Sequence, residues 1–404
     1  MLRIFNTLGK KLENFRSVDE KSAHVFTCGP SVYQRSHIGN FRTFLFEDIL
    51  IRYLGYSGFS VKRGMNFTDI EDKAFAEAKR RKMNVKDLTE ENIRNFLREM
   101  KLLKMRVPDY LPRASEAVEE TVEIIKQLLS RKIAYWYQGN VYFDPLKYSR
   151  FGELYGLDMT RWPREKRRFH KDTYPGMRWN RGDFILWHGY KRGDLYWDTP
   201  IGRGRPSWNI QDSSVILKHY HGTLSIYCGG IDNLFRHHDY TRAIIESVRP
   251  HPMTRFWLHC HHLIVQGQKM AKSRGNIYYV EDLLQDGYTA DEIRFFLIYG
   301  HYRKELEYTK EKMRLAAERL RYLKRKKKAI GRKADQTSEV DQKALKKVRE
   351  AFTRKMDDDL NVEKAFDELN ELFEHIKPET LKPKTASGLI KGLKEVDQVL
   401  GVLF

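Results

Sequence analysis

Residues His24 to Tyr33, HVFTCGPSVY, form an apolar run that breaks at Gly29-Pro30 and gives way to an amphipathic stretch from about Phe41 to Tyr53. A short apolar run closed by a Gly-Pro break and followed by helical periodicity reads as strand, loop and helix. A second strand candidate, Phe59 to Asn66, comes at the spacing of a parallel βαβ crossover, which in one short segment commits the chain to an α/β fold. The expected frame is a parallel sheet of the nucleotide-binding kind.

Beyond this opening, Asp69 to Leu103 alternates charged and apolar residues with helical period. From Tyr135 to Trp208 the composition turns to Trp, Tyr, Gly and Arg without helical period, the mark of an irregular or inserted subdomain, here bounded at about 105–205. Strand-like segments return at Leu224 to Cys228 and His259 to Val265. The tail from about Lys304 reads as helices starting at Lys310, Ser338, Asn361 and Ser387. The expected division is therefore 1–303, a catalytic α/β domain carrying the insertion, and 304–404, a helical bundle.

A chain of 404 residues with 41% apolar content has material for two or three domains and is not globally disordered. No window approaches the roughly 18 consecutive apolar residues of a membrane span, and the amino terminus lacks a secretory layout. Three cysteines, Cys28, Cys228 and Cys260, are too few for a disulfide framework and point to a reducing compartment, by default the cytoplasm. The 74 Lys and Arg against 54 Asp and Glu leave a net charge of +20, which suits a polyanionic partner. Seven of those cations fall between Lys324 and Lys333, a run that reads as a solvated helix end or an RNA-facing patch.

Two tetrapeptide-scale motifs carry chemistry. His37-Ile38-Gly39-Asn40 places an imidazole, an unobstructed backbone and an amide at a helix start, where backbone N–H groups favour phosphate. Far downstream, Lys269-Met270-Ala271-Lys272-Ser273 sets two amines on a loop of small residues, suited to a departing triphosphate. A lone His at a helix start usually caps it, and a Lys pair usually faces solvent; the two motifs in this order are far more specific than either alone.

The pair resembles the HIGH and KMSKS signatures of class I aminoacyl-tRNA synthetases. TCGPSVYQRSHIGNFRTF, NFTDIEDKAF, GDFILWH, GRPSWNIQDSS, CGGIDNLFRHHD and KMAKSRGN stand in the order and spacing of the cysteinyl-tRNA synthetase family. The resemblance runs over essentially the whole chain. It implies a Rossmann-like catalytic domain, ATP and Mg2+ as cofactors, an amino acid and tRNA as partners, and a monomer. It places Gly29, His37, Gly39, Asn40, His259, Lys269 and Lys272 at the nucleotide. It places Cys28, Thr68, Trp208, Asp212, Asp232 and His237 around the amino acid, with Asp232 at its amino group or at the nucleotide. No carboxylate is singled out for Mg2+.

The family grips its substrate thiol on zinc held by two Cys, a His and a Glu. The matching positions here are Cys28, Asp212, His237 and Thr241. Asp212 is an acceptable oxygen ligand but Thr241 is a poor one, so a zinc site would be three-liganded and helped by His238 or water. Without zinc, the pocket becomes a thiol, a carboxylate and an imidazole that would suit another side chain. Trp208 reads as a pocket wall or an ordinary core residue. The cluster His259-Cys260-His261-His262 reads as one strand with alternating faces and no second metal site. Family members usually carry a further domain that reads the anticodon; the chain stops at Phe404, so acceptor-end and shape recognition would have to suffice, or the acceptor is not tRNA. The rival readings are a paralogue transferring an activated amino acid to a small amine or carrier protein, as in the cysteine ligase of mycothiol synthesis, and a non-catalytic RNA-binding relic.

Overall fold

A computed structural model of the chain describes residues 1–158, 183–193, 195–270, 274–335 and 339–404. Four parallel strands form the central sheet in the order Thr254–Cys260, Leu224–Gly230, Ser22–Thr27, Ser60–Met65. The helix Ile38–Tyr56 makes the first crossover, as the opening sequence predicts, and starts three residues before the periodicity becomes visible because His37 and Asn40 cap it. It is buried nearly all round, with Phe41, Leu45, Ile49 and Leu50 against the sheet and later helices. The chain enters at Ser22–Thr27 and its neighbours lie on opposite sides, so the strand order reverses between Ser22–Thr27 and Leu224–Gly230. In open α/β sheets the crevice beyond the carboxyl ends of such a pair is where ligands bind.

The segment Asp69 to Leu103 is two helices, Asp72–Arg81 and Val85–Leu102, separated where Lys82 takes a left-handed backbone. The irregular Trp- and Tyr-rich stretch holds a four-stranded antiparallel sheet, Ala134–Tyr137, Asn140–Phe143, Phe184–Gly189 and Gly204–Pro206. Its buried residues Val141, Phe143, Phe184, Leu186 and Trp187 share a core with the helix Val118–Ser130 and with Ile210, Tyr240 and Ile244 of later helices.

One strand expectation needs correction. His259 to Val265 is not continuous: Thr254–Cys260 ends the parallel sheet, and Leu263–Val265 begins a separate three-stranded sheet with Gln268–Lys269 and Leu306–Tyr308. The chain bends at His261, whose N–H donates to the Tyr302 carbonyl at 2.8 Å, so strict alternation of faces fails across the four-residue cluster.

The tail is helical as read: Lys310–Gly331, Gln342–Met356, Val362–Glu374 and Pro383–Leu400. Gln342–Met356 and Pro383–Leu400 cross closely at Gly392, where a Cβ would lie 2.7 Å from the Val348 side chain. The helices share one apolar core with the parallel sheet. Across that junction the fully buried Arg294 donates to Asp48 at 2.7 Å, to the Leu400 carbonyl at 2.7 Å and to the Leu103 carbonyl at 2.8 Å.

Candidate active site

A cavity of about 820 Å³ opens at the carboxyl ends of Ser22–Thr27 and Leu224–Gly230. Position by position, the topology explains its walls: Cys28 directly follows one strand, Asp232 follows the other, and His37 and Asn40 start the crossover helix. Trp208 and Asp212 come from the helix Trp208–His219, and Lys269 from the short sheet beside them. Gly29, Gly39, Thr68 and His237 also line the cavity. Gly29 is required there, because a Cβ would fall 1.6 Å from the Asn66 carbonyl oxygen.

At the helix start, Nδ1 of His37 accepts from the Asn40 N–H at 3.2 Å, while the His37 N–H donates to Asn40 Oδ1 at 3.0 Å. This reciprocal cap assigns the ring proton to Nε2, leaving that N–H and the Asn40 amide as donors beside the helix N-terminus. Burial, and then the charge of Lys269, lower the His37 pKa to about 4, so the ring is neutral. Lys269 itself is paired with Asp232. Lys272 lies outside the described residues.

The other end of the cavity is a buried polar network. Asp212 Oδ1 accepts from Asn66 Nδ2 at 2.8 Å, and Oδ2 accepts from the Tyr227 hydroxyl at 2.7 Å and from the Cys28 thiol at 3.3 Å; Oδ2 also lies 2.9 Å from His237 Nε2. Burial raises the Asp212 carboxyl, but His237, Tyr227 and Cys28 facing it bring it below its ordinary value. Burial, with the Asp212 charge, pushes the Cys28 thiol up. Trp208 stacks on His237 with centroids 4.4 Å apart, so it is a pocket wall.

His238 contributes more than the sequence indicates. The segment Leu234–Asp239 forms a wide π-helical turn, a shape that recurs at functional sites, and it turns two consecutive imidazoles inward. His238 Nε2 lies 2.9 Å from Cys28 Sγ, and its Nδ1 lies 2.7 Å from His259 Nε2; His259 Nδ1 in turn lies 2.8 Å from Thr7 Oγ1. His259 is therefore tied behind the pocket and does not line the cavity. Its neighbour beyond the bend, His262, lines the cavity in its place. Thr7, Asn66 and Tyr227 carry no motif of their own. Only the alternation of a buried strand hints at Tyr227, and only the quoted NFTDIED stretch at Asn66.

The donor set fits a soft divalent metal. Cys28, His237 and His238 are all buried and each offers one ligand atom within 4.8 Å of the others. The unpartnered, buried Nδ1 of His237 and the adjacent Asp212 carboxylate add to this fit. Thr241 spends its hydroxyl on the His237 carbonyl at 2.8 Å and offers the set nothing.

Comparisons with known proteins agree with this geometry. The family model for the tRNA synthetases class I (C) catalytic domain matches residues 14–318, and the DALR domain matches residues 351–404. A protein named cysteine--tRNA ligase from Chlamydia muridarum is 35% identical over 424 residues, which cover all of this chain and 88% of that protein. A protein of the same name from Brachyspira hyodysenteriae is 33% identical, with 98% of this chain and 85% of the other covered. Among solved structures, Mycobacterium tuberculosis methionyl-tRNA synthetase in complex with methionyl-adenylate superposes with a TM-score of 0.66 at 14% identity, over 95% of this chain and 92% of that one. An Agrobacterium radiobacter LeuRS-tRNA-LeuAMS ternary complex superposes with a TM-score of 0.68 at 10% identity, over 95% and 84%. These distant neighbours establish a shared Rossmann-like fold. The chain belongs to the class I aminoacyl-tRNA synthetases, in the family of the cysteine type.

Proposed function

We propose that the protein is a cytoplasmic ligase that activates cysteine on ATP and transfers it to tRNA. The single observation that carries this reading is one cavity whose wall holds both phosphate-binding groups, His37, Asn40 and Lys269, and a thiol-compatible set, Cys28, Asp212 and His237, with His238 buried against Cys28. In the first step the amino-acid carboxylate attacks the α-phosphate in line and pyrophosphate leaves. In the second, a hydroxyl of the terminal ribose attacks the carbonyl and AMP leaves.

The chain's own work is positioning and charge. Neutral His37 donates from Nε2 to a phosphate oxygen, the helix N-terminus beside it favours the same negative charge, and Lys269 offsets the charge that grows on the departing pyrophosphate, with Lys272 expected to share that role. Magnesium accompanies the nucleotide. Zinc, when bound, supplies a Lewis-acidic anchor for a substrate thiolate, and Cys28, His237 and His238 would hold it with Asp212 beside them. Trp208 closes the amino-acid end. The helical segment 304–404 faces the tRNA stem, with 1–303 as the catalytic part; the +20 charge favours a nucleic-acid acceptor over a small amine.

Pyrophosphate exchange run over the twenty amino acids, followed by acylation of total tRNA against small amines, tests the reading. Cysteine-dependent exchange and acylated tRNA are expected. Exchange with no amino acid would refute the activation, and transfer only to small amines would refute the acceptor.

A further inference from the structure

The ion pair between Lys269 and Asp232 lies in the wall of the cavity. The backbone of Lys269 is fixed: it lies in a short strand paired with Ile264, and its carbonyl accepts from Arg274 at 3.1 Å and from Asn276 at 3.4 Å. Its side chain is half-exposed, as is that of Asp232, so the amine can swing while the chain stays in place. In the pair, the Lys269 amine is held on a carboxylate that offsets its charge, which weakens its pull on a phosphate.

Asp232 is also the carboxylate best placed for an incoming ammonium. Among the described residues, the other two carboxylates in the cavity wall are committed. Asp212 is buried under Asn66, Tyr227, His237 and Cys28, and Glu77 is held by Arg80 and Arg81 on its own helix. An α-amino group entering the cavity and the Lys269 amine therefore compete for one partner.

We propose that Asp232 is a two-position switch: the substrate's ammonium takes it from Lys269, and the released amine turns to the nucleotide's phosphates. This rests on the reading of the site as one for an α-amino acid and ATP. Its consequence is positive coupling between the two ligands, because the cost of breaking the ion pair is met once; by linkage each ligand raises the affinity of the other by the same factor. A half-exposed ion pair sets the scale at roughly three- to fivefold.

The test uses the full chain, Mg2+ and the unreactive α,β-methylene analogue of ATP, titrated calorimetrically alone and with saturating L-cysteine or with 3-mercaptopropionate, which lacks the amine. In the natural protein, cysteine is expected to tighten the nucleotide analogue about three- to fivefold and 3-mercaptopropionate to leave it unchanged. Asp232→Asn is expected to bind the analogue tighter by the same factor without any amino acid and to lose the response to cysteine. In a Lys269→Met background, Asp232→Asn is expected to have no effect, which separates release of the amine from a mere change of charge. Three results would overturn the switch: equal tightening by 3-mercaptopropionate, an Asp232→Asn variant no tighter than the natural protein, or an undiminished Asp232→Asn effect in the Lys269→Met background. The last two comparisons need no amino acid. If cysteine fails to bind at all, the function proposed above fails, and the nucleotide comparison still decides the switch.

Discussion

At the residue scale, His37 shows how a motif becomes a mechanism. Its cap with Asn40 fixes which nitrogen carries the proton, and burial together with Lys269 keeps the ring neutral. In the free protein, an NMR titration should find the His37 midpoint near pH 4, and Lys269→Met should raise it; an ordinary midpoint in the natural protein would contradict the assignment. The sign for stability follows: the unfolded chain protonates this ring first, so stability is lost as pH falls from the ordinary imidazole range toward 4. The pocket was less legible. Cys28, Asp212 and His237 could be found by matching positions, but His238 became a full member only because a π-helical turn points two neighbours inward, which no spacing rule predicts. Cobalt titrated into the metal-free protein should give a thiolate charge-transfer band; His238→Ala should weaken binding at least tenfold, whereas Thr241→Ala should leave it unchanged. Equal effects of the two substitutions would contradict the ligand set.

At the scale of elements, the opening strand, loop and helix and the four tail helices were legible because period and capping agree with the tertiary environment. The segment after His259 was not, because a backbone bond from His261 to Tyr302 ends the strand, and that partner is remote in sequence. The cationic run divides in a way that composition could not show. Lys324 pairs with Asp291, while Lys326 and Lys327 donate to carbonyls of neighbouring segments; Arg325, Lys328, Arg332 and Lys333 stay exposed. Part of the run thus fixes the helix Lys310–Gly331 onto its neighbours, and the rest forms an open basic face. Asp48 and Arg294, both fully buried, tie the crossover helix Ile38–Tyr56 to the helix Ala290–Ile298, from which Arg294 also reaches the tail at the Leu400 carbonyl. Asp48→Ala strips Arg294 and Arg52 of their carboxylate and should cost about 3–5 kcal/mol in chemical denaturation, with little change if the pair were incidental.

At the scale of the whole molecule, the strand order does the assembling. Motifs about 230 residues apart meet because one strand of the reversing pair leads to Cys28 and the crossover helix and the other to Asp232, while Lys269 comes in from the short sheet that follows the strand Thr254–Cys260. The insertion shares its core with Ile210, Tyr240 and Ile244 from later helices of the catalytic part, and the tail shares the core of the parallel sheet. On the function proposed above, nucleotide and amino acid occupy this one cavity together. Calorimetric binding of the sulfamoyl analogue of cysteinyl-adenylate, with ATP and cysteine as competitors, tests this directly. One site per chain, displacement of both competitors by the analogue, and binding weakened about a hundredfold by His37→Ala are expected. Binding that leaves either competitor in place, or that is indifferent to His37, would contradict it.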